Sequence, residues 1–196
     1  MSGVRHGLLL AGGRSVRMGR DKAFLPWRGK PLWRWQAELL MSVGVTRWVV
    51  SCRREQGLAE AVTAWSEING MALEVVFDPE DEKGGMLEAI ARGIHQVGGR
   101  ALVLSVDMPQ VNAELLERLW REAENFEGGA LIEGPNGPEP FPGIYDLEML
   151  PELNGGDALR AGLERGIRAG KAKALRLTEE YGFCLANWNH PKDVIE

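Results

Sequence analysis

Cysteine is scarce in this chain: only Cys52 and Cys184 occur in 196 residues, set in unlike segments with neither a CxxC pair nor a metal-ligand spacing. That leaves no basis for a disulfide scaffold or a cysteine-held metal, and such thiols suit a reducing compartment. Histidine is nearly as sparse. His6, His95 and His190 are scattered without ligand spacing, so each is expected to be structural. Long hydrophobic runs are also missing: the apolar stretch Leu8 to Ala11 is broken at once by glycines, too short for a signal-peptide core or a membrane span. Positive charge is not in excess, since 23 Lys and Arg against 28 Asp and Glu give a formal charge of -5. Long-range attraction to nucleic acid or anionic lipid is therefore disfavoured. No internal repeat or low-complexity tract is present. These absences predict a cytoplasmic protein with neither nucleic acid nor membrane among its partners.

What is present fits one globular domain spanning 1–196, with 44% hydrophobic and 26% charged residues. Short apolar runs alternate with amphipathic stretches, the pattern of a mostly parallel, Rossmann-like sheet in a three-layer α/β/α sandwich. Strands are predicted at Val4–Leu10, Trp48–Cys52, Leu73–Phe77 and Ala101–Val106. Helices are predicted from Pro31 to Gly44, at Leu58–Trp65, Leu87–Val97 and Leu115–Ala123. The Gly- and Pro-rich stretch Asn125–Pro142 predicts strand ends and a mobile loop. Beyond it, helices are expected around Leu147–Leu150 and Ala158–Glu164, strands around Ala172–Leu177 and Phe183–Ala186, and a last helical turn after Pro191.

The first strand runs directly into Gly12 and Gly13, followed by Ser15, Arg17, Met18, Gly19, Arg20 and Lys22. Glycines let a backbone turn tightly and bring its N–H groups against an anion, while Arg17 and Lys22 add positive charge. The pattern is not a Walker A loop, because Gly13 to Gly19 encloses five residues and Arg20 follows where Lys belongs. A plain strand-to-helix turn with solvated arginines has the same composition. Asp107 ends the most apolar strand, where open parallel sheets place ligands, and a carboxylate there can hold Mg2+ beside phosphates. It equally suits a turn before Pro109. Asn187 and Asn189, at alternate positions, can point the same way from an extended chain, or serve as an N-cap.

The stretch LLLAGGRSVRMGRDKAFLPWRGKPL, Leu8 to Leu32, resembles the signature of the molybdenum cofactor guanylyltransferase family within the nucleotidyltransferase superfamily. LVLSVDMP resembles the family's Asp-x-Pro turn after an apolar strand, and Asn187 to Asp193 its Asn-x-Asn-Thr-Pro-Glu-Asp segment. Asp78 followed by Gly84-Gly85-Met86-Leu87 resembles an aspartate before Gly-Pro-Leu, with Gly85 in place of proline and Glu88 in place of a small residue. Weaker again is the likeness of Glu139 to Tyr145 to a Pro-x-x-Gly-x-Tyr strand, which an aromatic, proline-rich strand edge explains as well. The resemblance implies the sheet of the nucleotide-diphospho-sugar transferase type, with a nucleotide-binding half (1–110) and an acceptor-binding half (111–196). It implies transfer of GMP from GTP to molybdopterin cofactor with Mg2+, and as partners proteins that deliver the cofactor and mature molybdoenzymes. Arg17, Lys22 and Asp107 are then catalytic. Leu10, Ala11, Gly12, Gly13, Lys22, Asp78 and Asp107 bind nucleotide, Asp107 and Asn189 hold metal, and Asn187 and Asn189 meet the acceptor. The Gly12–Gly13 pair resembles the guanine-using branch, each glycine leaving room for a purine. A cytidylyltransferase for the same cofactor, a sugar-phosphate nucleotidyltransferase and a non-catalytic GTP-binding relative are the alternatives. The five tryptophans Trp33, Trp35, Trp48, Trp65 and Trp120 are read as packing residues.

Overall fold

The computed structural model describes residues 4–13, 19–79, 85–153, 159–177, 179–189 and 193. In chain order the elements are β1 (Arg5–Leu10), a small hairpin of β2 (Pro26–Trp27) and β3 (Lys30–Pro31), α1 (Leu32–Ser42), β4 (Val45–Cys52), α2 (Leu58–Asn69), β5 (Ala72–Phe77), α3 (Gly85–Val97), β6 (Ala101–Ser105), α4 (Ala113–Ala123), β7 (Gly129–Gly134), β8 (Gly137–Tyr145), α5 (Leu150–Leu153), α6 (Leu159–Arg168) and β9 (Ala172–Arg176). Seven strands form one sheet in the order β5-β4-β1-β6-β8-β7-β9. All but β8 run the same way, so the fold is α/β with a mostly parallel sheet flanked by helices.

The order follows from which runs can be buried on both faces. Successive side chains of a strand alternate between faces, yet Leu8 and Leu9, Val49 and Val50, and Leu102 and Val103 are all fully buried. Each face is therefore covered, with α1 and α3 packed against β1 and β4. The chain proceeds outward from β1 through β4 to β5, then crosses back to place β6 on the other side of β1. That reversal puts a switch point at the carboxyl ends of β1 and β6, where open sheets leave a crevice.

Two stretches differ from the sequence reading. The Gly- and Pro-rich stretch from residue 125 forms the paired strands β7 and β8 around a two-residue turn, with Gly143 and Ile144 opposite Leu131 and Ala130. Its glycines and prolines are read locally as breakers, but pairing against β6 and β9 supplies the hydrogen bonds that fix the strands. Of the segment expected to be a strand at Phe183–Ala186, all but Ala186 lies instead in a 3-10 helix, Glu179–Leu185, followed by chain without regular structure. The turn expected after Pro191 falls almost entirely outside the described residues.

Leu8 lies fully buried in the central strand. Leu8→Ala should destabilise the protein by about 2–5 kcal/mol through lost burial and the cavity left behind. Urea unfolding monitored by tryptophan fluorescence measures it, and a midpoint within error of wild type would contradict this account of the core.

Candidate active site

The hydrogen-bond ladder continues one step past the strand ends. Ala11 N–H donates to Ser51 O (2.8 Å), Asp78 N–H to Cys52 O (2.9 Å) and Val106 N–H to Leu10 O (3.0 Å). The segments leaving β5, β4, β1 and β6 thus stay in register, and their first residues line one cavity of about 430 Å3, including Asp78, Arg53, Gly12 and Asp107. That volume lies within the range of small-molecule sites.

On the β6 side, Lys22 Nζ donates to Asp107 Oδ2 at 2.7 Å and to Asn189 Oδ1 at 2.8 Å. Residues far apart in sequence thus bring a carboxylate oxygen and a neutral amide oxygen to one cation. The other Asp107 oxygen accepts from Ser105 Oγ at 2.5 Å, and the Asp107 carbonyl accepts from Trp188 N–H at 2.8 Å. Buried Gln36 on α1 donates to Met108 O at 2.8 Å and steadies the turn after Asp107. Lys22 opens a short 3-10 turn whose N-cap is Asp21, the Asp21 carboxylate accepting from Ala23 N–H at 2.9 Å.

On the β5 side, Asp78 Oδ1 accepts from Ser51 Oγ at 2.7 Å and from Arg92 Nη2 at 3.2 Å. A Cβ at position 12 would lie 1.5 Å from Asp78 Oδ2, so glycine is what lets the carboxylate stand against the backbone leaving β1. The expectation that both glycines leave room for a purine divides accordingly. The space beside Gly12 is filled by Asp78, whereas none of the described residues lies within 4 Å of a Cβ built on Gly13. The departures at 85 and 88 also acquire a reason. Gly85 opens α3 at φ +50°, which the fixed ring of proline excludes. Glu88 pairs with Arg92 one turn later (3.3 Å), and Arg92 in turn holds Asp78.

Leu10, Gly12, Gly13, Asp78 and Asp107 therefore line the cavity, while Lys22 links Asp107 to Asn189. Ala11 is buried, its carbonyl accepting from Gln56 Nε2 at 2.9 Å, and Asn187 is exposed. Arg17 lies outside the described residues. In the segment 139–145, Phe141 lines the cavity but Tyr145 is fully buried, its hydroxyl donating to Pro140 O at 2.8 Å. Four of the five tryptophans read as packing residues are buried and Trp35 is partly so. Sequence reasoning missed Ser51, Arg53, Gln56 and Arg92. The first three lie at or just past the carboxyl end of β4, a position that could have marked them.

Residues 7–175 match the MobA-like NTP transferase domain. A probable molybdenum cofactor guanylyltransferase of Opitutus terrae is 31% identical over 195 residues, covering 95% of this chain and 91% of that protein. A molybdenum cofactor guanylyltransferase of Pseudomonas putida is 30% identical, covering 94% and 93%. The crystal structure of molybdopterin-guanine dinucleotide biosynthesis protein A from Archaeoglobus fulgidus shares the fold, with a TM-score of 0.68 at 24% identity over 96% of this chain and 94% of that one. So does a nucleotidyl transferase from Methanothermobacter, with a TM-score of 0.74 at 21% identity over 98% and 94%.

Burial pushes the Cys52 thiol up to about 11, and the neighbouring Asp78 carboxylate adds to the rise. Roughly 0.1% is then thiolate at pH 8, and only thiolate reacts. Native protein treated with iodoacetamide at pH 8 should keep Cys52 unmodified, whereas urea-unfolded protein should label readily. Peptide mass spectrometry checks this, and rapid native labelling would contradict the assigned burial.

Proposed function

From the premise that this chain belongs to the MobA-like NTP transferase domain family and is a nucleotidyltransferase, we propose that it transfers GMP from GTP to molybdopterin cofactor. In that reaction a phosphate oxygen of the acceptor attacks the α-phosphorus of GTP, and the bond to the β-phosphate oxygen breaks to release pyrophosphate. The names of the related enzymes support both substrates. The observation that carries the reading is the convergence of Lys22, Asp107 and Asn189 at the edge of the cavity between β1 and β6.

Such a reaction needs no side-chain nucleophile; it needs alignment and charge neutralisation. Lys22 supplies a cation to the triphosphate, with Arg17 proposed as a second. Leu10, Ala11, Gly12 and Gly13 supply the backbone beside it. Asp78, held by Ser51 and Arg92, presents an acceptor to the nucleotide; guanine offers two adjacent N–H donors where cytosine and adenine offer one amino group. Asn187 and Asn189 lie on the side where the acceptor is proposed to bind.

Asp107 and Asn189 fit Mg2+. The pair is a hard-oxygen set of one carboxylate and one neutral amide, already drawn to a single cation, and Mg2+ characteristically takes one or two carboxylates with phosphate and water completing its shell. Bound there, Mg2+ would neutralise phosphate charge as pyrophosphate departs. The reading places the protein in the cytoplasm with the cofactor-delivering and molybdoenzyme-maturing proteins as partners. No described helix is long and apolar enough to cross a membrane.

Pyrophosphate release in the presence of molybdopterin and Mg2+ should favour GTP over CTP, ATP and UTP by at least about tenfold, a difference of about 1.4 kcal/mol. A CTP preference would defeat the guanine assignment. A protein that binds GTP without ever turning over would mark a carrier. Lys22→Ala should weaken GTP binding by roughly 10- to 100-fold, the loss of a charge-assisted contact. Asp107→Asn should instead keep measurable binding while kcat falls by roughly 100-fold or more. Titration calorimetry and single-turnover assays separate these effects, and an unchanged kcat in Asp107→Asn would remove that residue from the chemistry.

A further inference from the structure

Arg53 stands just beyond β4 with its side chain 20% exposed, and neither the transfer reaction nor the family comparison assigns it a role. Its guanidinium nevertheless reaches both ends of the glycine-rich segment. Nη1 donates to Gly12 O at 2.8 Å and to Gly13 O at 2.7 Å, where that segment leaves β1. Nη2 donates to Asp21 Oδ2 at 3.0 Å, where it enters the turn that carries Lys22. Nε is turned to Glu55 at 3.0 Å. Gln56 runs beside it, donating from Nε2 to Ala11 O and to Asp21 Oδ1, both at 2.9 Å, and accepting from Arg53 N–H at 3.1 Å.

We propose that Arg53 is the positioning residue of the nucleotide site, a clasp that pins the two ends of the glycine-rich segment to each other and so fixes Gly12, Gly13 and Lys22 before a triphosphate arrives. The proposal rests on the functional reading above only for the identity of that ligand. Two physical effects support it. Carbonyl oxygens facing a polyphosphate repel it, and Arg53 draws the Gly12 and Gly13 carbonyls to its own side; in a trans peptide the Gly13 N–H then points away from Arg53. Pinning both ends also removes chain freedom that binding would otherwise have to remove. Because four of its N–H groups are directed at protein oxygens, the side chain acts through the segment rather than as a phosphate ligand. A lysine, with a single point charge, cannot engage two carbonyls and a carboxylate in this planar arrangement.

The test uses full-length wild type, Arg53→Lys, Arg53→Ala and Gln56→Ala. Backbone hydrogen exchange without ligand should quicken at Ala11–Gly13 and Lys22–Leu25 in both Arg53 variants, while Leu8–Leu10 stays protected. The GTP dissociation constant in Mg2+ should rise about tenfold in Arg53→Lys and in Arg53→Ala alike, as expected for lost charge-assisted bonds that lysine does not rescue. Wild-type exchange and an affinity within about twofold of wild type in Arg53→Lys would overturn the proposal, because charge alone would then suffice. If the Arg53 variants do not fold, Gln56→Ala decides: the same local exchange and a severalfold affinity loss support the clasp, and wild-type values overturn it. Failure of wild type to bind GTP would defeat the functional reading instead, with the ligand-free exchange still deciding the clasp.

Discussion

An ammonium group that is largely withdrawn from water persists only where anionic or strongly dipolar oxygens replace its hydration. Lys22, with 15% of its side chain exposed, meets that condition between Asp107, 16% exposed, and Asn189. The three residues come from the segment after β1, the turn after β6 and the irregular chain near the C-terminus. Their meeting requires β1 and β6 to be neighbours, Asp21 to cap the turn beneath Lys22, and the C-terminal chain to lie against that turn. The last condition is met by Trp188, whose N–H donates to Asp107 O and whose ring packs edge-on against Trp27 at 5.0 Å. Buried aromatic area thus holds a polar oxygen in place.

A second constraint operates on the opposite wall. Asp78 is fixed by Ser51 from β4, by Arg92 from α3 and by the absence of a Cβ at Gly12. Glu88 neutralises Arg92 from the solvent side, so the residue that departs from the family pattern belongs to the same chain of ion pairs as the aspartate that keeps it. The two walls therefore present opposite arrangements: a lysine held by oxygens beside β6, and a carboxylate held by donors beside β5. A cavity so divided suits a ligand with an anionic end and a hydrogen-bonding end.

Much of this site was legible before the fold was known. Gly12, Asp78 and Asp107 each follow an apolar run directly, with Gly13 next in line, and open parallel sheets place their ligands at the carboxyl ends of the strands. Arg92, inside α3, carries no such mark, and although Arg53 and Gln56 stand just past the carboxyl end of β4, their partners were not legible. The bonds that tie them to Ala11–Gly13, Asp21 and Asp78 reach residues 14 to 45 positions away, and nothing in RREQ or in one face of α3 marks which strand will lie alongside. The hairpin of β7 and β8 was misread for a related reason. Its glycines and prolines are breakers in isolation, and they become strand residues only when β6 and β9 offer partners.

Apolar periodicity and glycine placement act over a few neighbouring residues, so the class of fold, the central strands and the ends at which a polar site could form are written in the order of amino acids. That Lys22, Asp107 and Asn189 share one point, and that Arg53 clasps both ends of the glycine-rich segment, follows from the folded arrangement alone. Those contacts depend on the order of the strands in the sheet, and that order is set by packing between segments far apart along the chain.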